Sequence, residues 1–163
     1  MSKYFGTDGF RGEANKVLKA DDAYKIGRYL GWYYSREHRG RIVIGKDTRR
    51  SSYMFEYALV AGITASGSDA FLLHVTTTPS VAYVVRTEEF DCGIMVSASH
   101  NPYYDNGIKI IDGNGHKIAS DIEEAMENYI DGIVEELPFA TGEAVGTATD
   151  LSLIHISEPT RHS

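Results

Sequence analysis

The sequence predicts an α/β domain with a largely parallel sheet. Three short apolar runs, at 41–45, 69–74 and 92–96, are typical of buried strands. Segments of helical length and pattern separate these runs, at 53–66 and 79–87. Because strand–helix–strand units place consecutive strands parallel, with a right-handed crossover, this alternation indicates the fold class.

The amino-acid composition indicates an ordinary globular domain. Of the 163 residues, 42% are hydrophobic and 24% are charged. The net charge of −7, from 16 basic and 23 acidic residues, argues against nucleic acid as a partner, because backbone binding needs a basic face. No apolar run reaches the roughly 18 residues of a membrane span, and charges interrupt any signal peptide at the start. With the single cysteine Cys92, these features predict a cytoplasmic protein without a membrane partner.

The first segment with functional potential is the glycine-punctuated loop expected at residues 3–12. Gly6, Gly9 and Gly12 allow positive φ angles and a close approach of the backbone to a ligand. Arg11 offers a forked donor suited to phosphate. A plain N-terminal turn with a solvated arginine explains the same spacing, so both interpretations stay open.

Three of the predicted helices have recognisable start signals. Asp21 or Asp22 can cap a helix that continues to about residue 37. Thr78 as a cap, with Pro79 in the first turn, predicts the start of the helix that ends near residue 87. A serine and a glutamate with the spacing of a capping box predict a last helix over 120–134.

The last part of the chain departs from this pattern. Residues 107–112 predict a strand that pairs antiparallel at the sheet edge. The domain is expected to occupy 1–137, followed by a Gly-, Ala- and Thr-rich linker at 138–150 toward a missing second domain. Residues 151–163 read as a non-native tail and are left out of the site.

A polar loop directly follows the first buried strand. Lys46, Arg49 and Arg50 precede the hydroxyls that lead into the helix at 53–66. Free N–H groups and the helix dipole favour negative charge at such a helix start, so the loop is a candidate anion site. A solvated charged turn is the alternative, most of all for Arg50.

The most informative stretch follows the strand at 92–96. Ser99, His100 and, further on, Lys109 place a hydroxyl, an imidazole and an ammonium near one loop. Pro102 takes the chain out of regular structure there. Ligands of open α/β sheets bind at the carboxyl ends of the strands, which is where this loop is expected.

Two chemistries fit a serine in such a loop. A hydrolase is disfavoured because the Gly-x-Ser-x-Gly elbow is absent, and because His100 is poorly placed to act as base for the adjacent Ser99. Phosphoryl transfer is favoured, since cations at Arg11, Lys46, Arg49 and Lys109 can stabilise a phosphoryl group.

Three motifs, in their order and spacing, resemble the first domain of the α-D-phosphohexomutases. They read Phe-Gly-Thr-Asp-Gly-Phe-Arg-Gly at 5–12, Gly-Lys-Asp-Thr-Arg at 45–49 and Ser-Ala-Ser-His-Asn-Pro at 97–102. The opening motif is most similar to the bacterial phosphoglucosamine mutase branch. The resemblance covers residues 1 to about 150 and implies a three-layer α/β/α domain of the phosphohexomutase domain I type.

The resemblance also implies roles for individual residues. Ser99 matches the serine that carries the phosphoryl group, and His100 and Lys109 match active-site residues beside it. Mg²⁺ is expected to bind an oxygen of phosphorylated Ser99, a good ligand for this hard ion. An activating hexose bisphosphate is the expected phosphoryl source. Substrate or phosphate contacts are implied for Thr7, Arg11, Lys46, Arg49 and Asn101, with a partly structural role as the alternative for Lys46, Asp47 and Arg49.

The resemblance implies a mutase that works on a phosphosugar. The parent protein is expected to interconvert glucosamine 6-phosphate and glucosamine 1-phosphate through a bisphosphate intermediate. The family's domains II–IV, with the remaining metal ligands and the sugar loop, are missing, so this fragment is expected to be inactive alone. A phosphoglucomutase or phosphomannomutase domain, and a non-catalytic phosphate-binding module, are the alternatives.

Overall fold

The computed structural model describes residues 3–151, which form one mixed sheet with helices on both faces. The strands are β1 (Phe5–Gly6), β2 (Gly9–Glu13), β3 (Arg41–Lys46), β4 (Asp69–Val75), β5 (Cys92–Val96), β6 (Asp105–Asp112) and β7 (Ala148–Asp150). The helices are α1 (Ala20–Tyr33), α2 (Arg50–Ala65), α3 (Thr78–Thr87) and α4 (Ser120–Ile130), with a 3₁₀ turn at Gly142–Ala144.

The strand order in the described part of the sheet is β1-β2-β6-β5-β3-β4-β7. The predicted strands β3, β4 and β5 are parallel neighbours, and β7 adds in parallel to β4. The β5–β6, β6–β2 and β2–β1 pairs are antiparallel. The α/β/α fold class is therefore confirmed, with a sheet that is parallel in one half and antiparallel in the other.

The N-terminal segment accounts for two wrong expectations. Residues 3–12, expected as a loop, form the β1–β2 hairpin, in which Phe5 pairs with Phe10. Strand β2 then pairs with the outer side of β6, where Phe10 lies opposite Ile108. Strand β6 is consequently an interior strand rather than the edge. Burial of the two phenylalanines, 2% and 3% exposed, stabilises this long-range pairing.

A hydrophobic cluster on each face of the sheet packs between the strands and the helices that cover that face. Alternation along β3 sends Ile42 and Ile44 to one face and Val43 to the other. The first face packs against α1, α2 and α4, and the second against α3. Within residues 3–151, every helix is too short or too polar to cross a bilayer.

Helix ends differ from the sequence expectations by a few residues. Helix α3 is capped by Thr77, whose hydroxyl accepts the Ser80 N–H at 3.2 Å, rather than by Thr78. Helix α4 ends at Ile130, because Gly132 adopts a φ of 74° and turns the chain away. The N–H groups of residues 132 and 133 donate to the carbonyls of 129 and 128, the hydrogen-bond pattern of a Schellman motif.

The segment expected as a linker packs against the domain. The buried Arg28 guanidinium donates to the Pro138 carbonyl at 3.1 Å, and Ala148 of β7 pairs with Ala70 of β4. A role of 138–150 as the connection to a second domain stays a prediction. The expected tail, apart from Leu151, lies outside the described residues.

Candidate active site

The sheet face that packs against α3 extends past this helix. Polar side chains lie on the part of the face that α3 does not cover. Helix α3 packs against β3 and β5, and its cluster includes Ile111 of β6. The alternate positions Lys109 and Gly107 share the face of Ile111, since side chains of a strand alternate. Arg11 of β2 is paired directly with Gly107, so it lies on this face too. The antiparallel half of the sheet thus brings two cations to one surface.

The serine loop, residues 97–105, leads from β5 into the first residue of β6 at the edge of this surface. Ser99 is exposed and has a φ of 51°, a left-handed conformation that is unusual for a non-glycine residue. Its N–H donates to the Ser97 hydroxyl at 3.0 Å, and its carbonyl accepts from Arg49 at 2.8 Å. Within residues 3–151 the Ser99 hydroxyl has no hydrogen-bond partner, so it is available for chemistry.

Arg11 and Asn101 lie together beside the serine. Arg11 Nη1 donates to Asn101 Oδ1 at 3.2 Å, and Asn101 Nδ2 donates to Asp105 Oδ2 at 3.1 Å. The Arg11 Nε atom is buried without a partner among the described residues. A buried donor without an acceptor is costly, and an anionic oxygen is the group that would satisfy it.

Lys109, His100 and Thr7 complete the group of predicted residues that reach solvent. Lys109, two residues beyond the partner of Arg11, makes no ion pair with any described carboxylate. His100 is exposed next to Ser99, and Thr7 is exposed at the tip of the β1–β2 hairpin. Arg11 and Lys109 therefore lie on the sheet face that borders the serine loop, where an anionic ligand could contact them.

Gly107 makes room for this arrangement. A Cβ atom at this position would lie 2.7 Å from the Ser97 carbonyl oxygen and 2.8 Å from Arg11 Cγ. We expect Gly107→Ala to displace Arg11 from Asn101 and to lower the free energy of unfolding by about 1–3 kcal/mol, the usual cost of overpacking. Urea unfolding of the purified chain measures this loss. Gly6→Ala is the control, since the nearest atom to its added Cβ lies 4.0 Å away; equal stability of the two variants would contradict the expectation.

Lys46 lies on the other side of the sheet. A Cβ added to Gly45 would meet Val81 of α3, so position 45 of β3 faces α3. Because side chains of a strand alternate, the next residue, Lys46, lies on the face of α1 and α2. Its ammonium is 3.0 Å and 3.1 Å from the two Glu56 carboxylate oxygens and 3.3 Å from His74 Nδ1. Both members of the pair are about 1% exposed. The structure thus places this predicted phosphate-binding residue in a buried ion pair.

Arg49 and Asp47, which are hydrogen-bonded to each other, lie between α2 and the serine loop. Burial alone would raise the pKa of Asp47, but hydrogen bonds from the Arg49 backbone, the Ser52 and Ser97 hydroxyls and the Arg49 guanidinium hold the pKa of this carboxyl below its usual range. Asp47 and Ser97 are not among the predicted site residues, although both lie within the motifs at 45–49 and 97–102, which were the available signal.

The described residues do not by themselves fit a magnesium ion. Within residues 3–151 no three His, Cys, Asp or Glu side chains are grouped as a metal site. A phosphate on Ser99 would supply one oxygen ligand, and water or groups beyond the described residues would supply the others.

Comparisons with known proteins agree with this geometry. A family model described as phosphoglucomutase/phosphomannomutase, alpha/beta/alpha domain I, matches residues 2–136. Curated phosphoglucosamine mutases from Lachnoclostridium phytofermentans and Lachnospira eligens are each 65% identical over 153 residues, covering 94% and 92% of this chain. A solved structure of a phosphoglucomutase/phosphomannomutase family protein from Burkholderia thailandensis has a TM-score of 0.76 at 27% identity, over 92% of this chain.

The matched regions show how much of each related protein this chain corresponds to. It covers 34% of each curated relative and 33% of the solved Burkholderia chain, about a third of their lengths. The matched family model spans the sheet from β1 to β6, the four helices and the serine loop. The chain therefore belongs to the phosphoglucomutase/phosphomannomutase family and contains, over residues 2–136, that family's α/β/α domain I.

Proposed function

We propose that this chain is the phosphoserine-carrying domain of an enzyme that interconverts glucosamine 6-phosphate and glucosamine 1-phosphate. The observation that carries the proposal is the exposed, left-handed Ser99, whose hydroxyl has no partner among residues 3–151 and whose loop neighbour Asn101 contacts Arg11. The curated relatives at 65% identity are named phosphoglucosamine mutases, which supports the choice of sugar.

In the proposed reaction the phosphoryl group on Ser99 moves to the free hydroxyl of the sugar phosphate. The O–P bond at Ser99 breaks, a new O–P bond forms at the sugar, and a bisphosphate results. Ser99 then takes back the phosphoryl group from the other position, which leaves the isomeric monophosphate. Arg11 and Lys109 stabilise the charge on the phosphoryl oxygens in both steps, the main source of catalysis in phosphoryl transfer.

His100 and Lys109 are the proposed groups for proton transfer. Each reaction step needs a base for one hydroxyl and an acid for the departing oxygen, and neither side chain has a partner among residues 3–151. His100 directly follows Ser99, and Lys109 lies on the sheet face that borders the serine loop. Thr7 and Asn101 are proposed to contact the substrate phosphate. Mg²⁺, held in part by the phosphate on Ser99, is proposed to neutralise charge there.

The remainder of the relatives' length is proposed to supply what this domain lacks. Domains II–IV would hold the other metal ligands and the sugar, so isolated residues 1–163 should not turn over. A cytoplasmic location is part of the proposal, since the lone Cys92 is buried and unpaired, as in proteins of reducing compartments.

The test is the covalent state of Ser99. The purified chain is incubated with glucose 1,6-bisphosphate and Mg²⁺, and its intact mass and peptide map are measured. The expected result is one added phosphoryl group, located on Ser99. The same measurement on a full-length protein that contains this domain gives the decisive result, since all metal ligands are then present; an unmodified Ser99 there would overturn the proposal.

A mutase acting on glucose or mannose phosphates is the second candidate. The solved Burkholderia protein of similar fold bears the family name phosphoglucomutase/phosphomannomutase, which supports glucose or mannose phosphates as alternative substrates. Coupled assays of the full-length protein with glucosamine, glucose and mannose 1-phosphates separate the candidates. The first predicts the highest kcat/KM for the glucosamine compound.

A further inference from the structure

The Arg49 side chain is enclosed by the serine loop and is 11% exposed. Its Nε atom donates to Asp47 Oδ2 at 2.9 Å. Its two terminal nitrogens donate to four carbonyl oxygens of the serine loop, at 2.6–3.1 Å, those of Ser99, Asn101, Pro102 and Asp105. A guanidinium has five N–H donors, and each of these five has an acceptor within the chain.

These contacts bear directly on Ser99. A left-handed φ is unfavourable for serine and persists only where the surrounding structure holds it. Arg49 holds the carbonyl of Ser99, and the Ser97 hydroxyl holds its N–H group. The peptide groups on both sides of the Ser99 side chain are therefore fixed, and with them the direction of the Cα–Cβ bond that carries the hydroxyl.

Asp47 anchors this arrangement to the sheet. Its own N–H donates to the Val96 carbonyl at the end of β5, at 3.0 Å. Its carboxylate accepts from the Arg49 N–H and from the Ser52 hydroxyl, at 3.0 Å and 2.8 Å. The carboxylate thus binds Arg49 at both its backbone N–H and its guanidinium Nε, and connects it to the ends of β5 and α2.

We propose that Arg49, oriented by Asp47, is a positioning residue that holds the serine loop in the conformation that presents the Ser99 hydroxyl. This inference rests on the proposed function, in which Ser99 carries the phosphoryl group. It assigns Arg49 a role different from the phosphate contact that the sequence suggests, because no N–H of its guanidinium is left for a ligand.

The first test measures the loop itself, independently of activity. Arg49→Lys keeps the charge but replaces a planar fork of five donors by one ammonium, which cannot span four carbonyls. Amide hydrogen exchange of residues 99–105 is expected to become roughly 10-fold faster or more, while the amides of β3 and β4 are unchanged. Asp47→Asn is expected to loosen the same segment less. Arg50→Lys is the matched control, since Arg50 is exposed and has no described partner.

The second test separates positioning from phosphate binding in the full-length protein. A positioning role predicts that Arg49→Lys lowers kcat by roughly 10- to 100-fold, the cost of misplacing a reacting group, with KM for the phosphosugar nearly unchanged. A residue that only binds the phosphate of the substrate would show the opposite split, a raised KM with kcat nearly unchanged, because the lost contact stabilises substrate and transition state equally.

The outcomes distinguish this inference from the proposed function. Wild-type exchange rates at 99–105 in Arg49→Lys, or a rise in KM alone, would overturn the positioning role. Failure of wild-type Ser99 to accept phosphate would overturn the proposed function, whereas the exchange measurement would still decide whether Arg49 holds the loop.

Discussion

Replacing Ser99 by alanine in the full-length protein is expected to lower mutase turnover by roughly 10⁴-fold or more, the scale of loss when a covalent nucleophile is removed. The Ser99 hydroxyl makes no hydrogen bond within the described residues and the residue is exposed, so the fold should not depend on it. A coupled assay for glucosamine 1-phosphate formation measures the turnover, and urea unfolding measures the stability.

Ser99→Gly provides a sharper version of the same experiment. Its turnover should be as low as that of the alanine variant, because both lack the hydroxyl. Its free energy of unfolding should exceed that of Ser99→Ala by about 1 kcal/mol, because glycine adopts the φ of 51° without the steric cost that alanine retains. Retained turnover in either variant would contradict the nucleophile assignment, and a less stable glycine variant would contradict the backbone argument.

Lys46→Met is expected to lower the free energy of unfolding by about 3–5 kcal/mol, because it leaves the Glu56 carboxylate buried without its cation. The pair is nearly fully buried, and the Lys46 ammonium contacts both carboxylate oxygens. The double variant Lys46→Met with Glu56→Leu should recover most of the loss, since replacing a whole buried pair by apolar residues is often neutral. Chemical denaturation measures the free energy of unfolding of the wild-type chain, the single variant and the double variant.

This series also decides whether Lys46 acts on phosphate. If its role is structural, the double variant should regain phosphorylation of Ser99 together with stability. A stable double variant that cannot be phosphorylated would instead support a direct role. Lys16→Met is the control for loss of a lysine charge, because Lys16 pairs with Glu13 on the surface and should change stability by less than about 0.5 kcal/mol.

Local patterns were sufficient for the parts of the fold that depend on neighbours in the chain. The apolar runs of β3, β4 and β5 and the periodicity of α1 to α4 are local signals, because burial on one face imposes a repeat of two or 3.6 residues. The position of Ser99 after β5 followed from the same reasoning, together with the motif at 97–102.

The β1–β2 hairpin could not be predicted in this way. Its partner strand β6 lies about a hundred residues further along the chain, and Arg11 faces Gly107 only through that pairing. Glycines at three positions interrupt the strand-forming residues of this segment, so it carries little local signal for a strand. The antiparallel half of the sheet, and with it the meeting of Arg11 and Lys109, is a product of tertiary structure.

The amino-acid sequence was enough to identify the chemical groups of the candidate site: the hydroxyl of Ser99, the imidazole of His100 and the basic side chains of Arg11, Lys46, Arg49 and Lys109. Which of these groups remain available to a ligand depends on the tertiary structure. Strand alternation buries Lys46 against Glu56 on the sheet face opposite to Arg11 and Lys109. The Arg49 guanidinium donates its hydrogen bonds to carbonyls of the serine loop. The physical reason is that a buried cation or an irregular backbone must first satisfy its own hydrogen bonds, and the partners for those bonds come from distant segments.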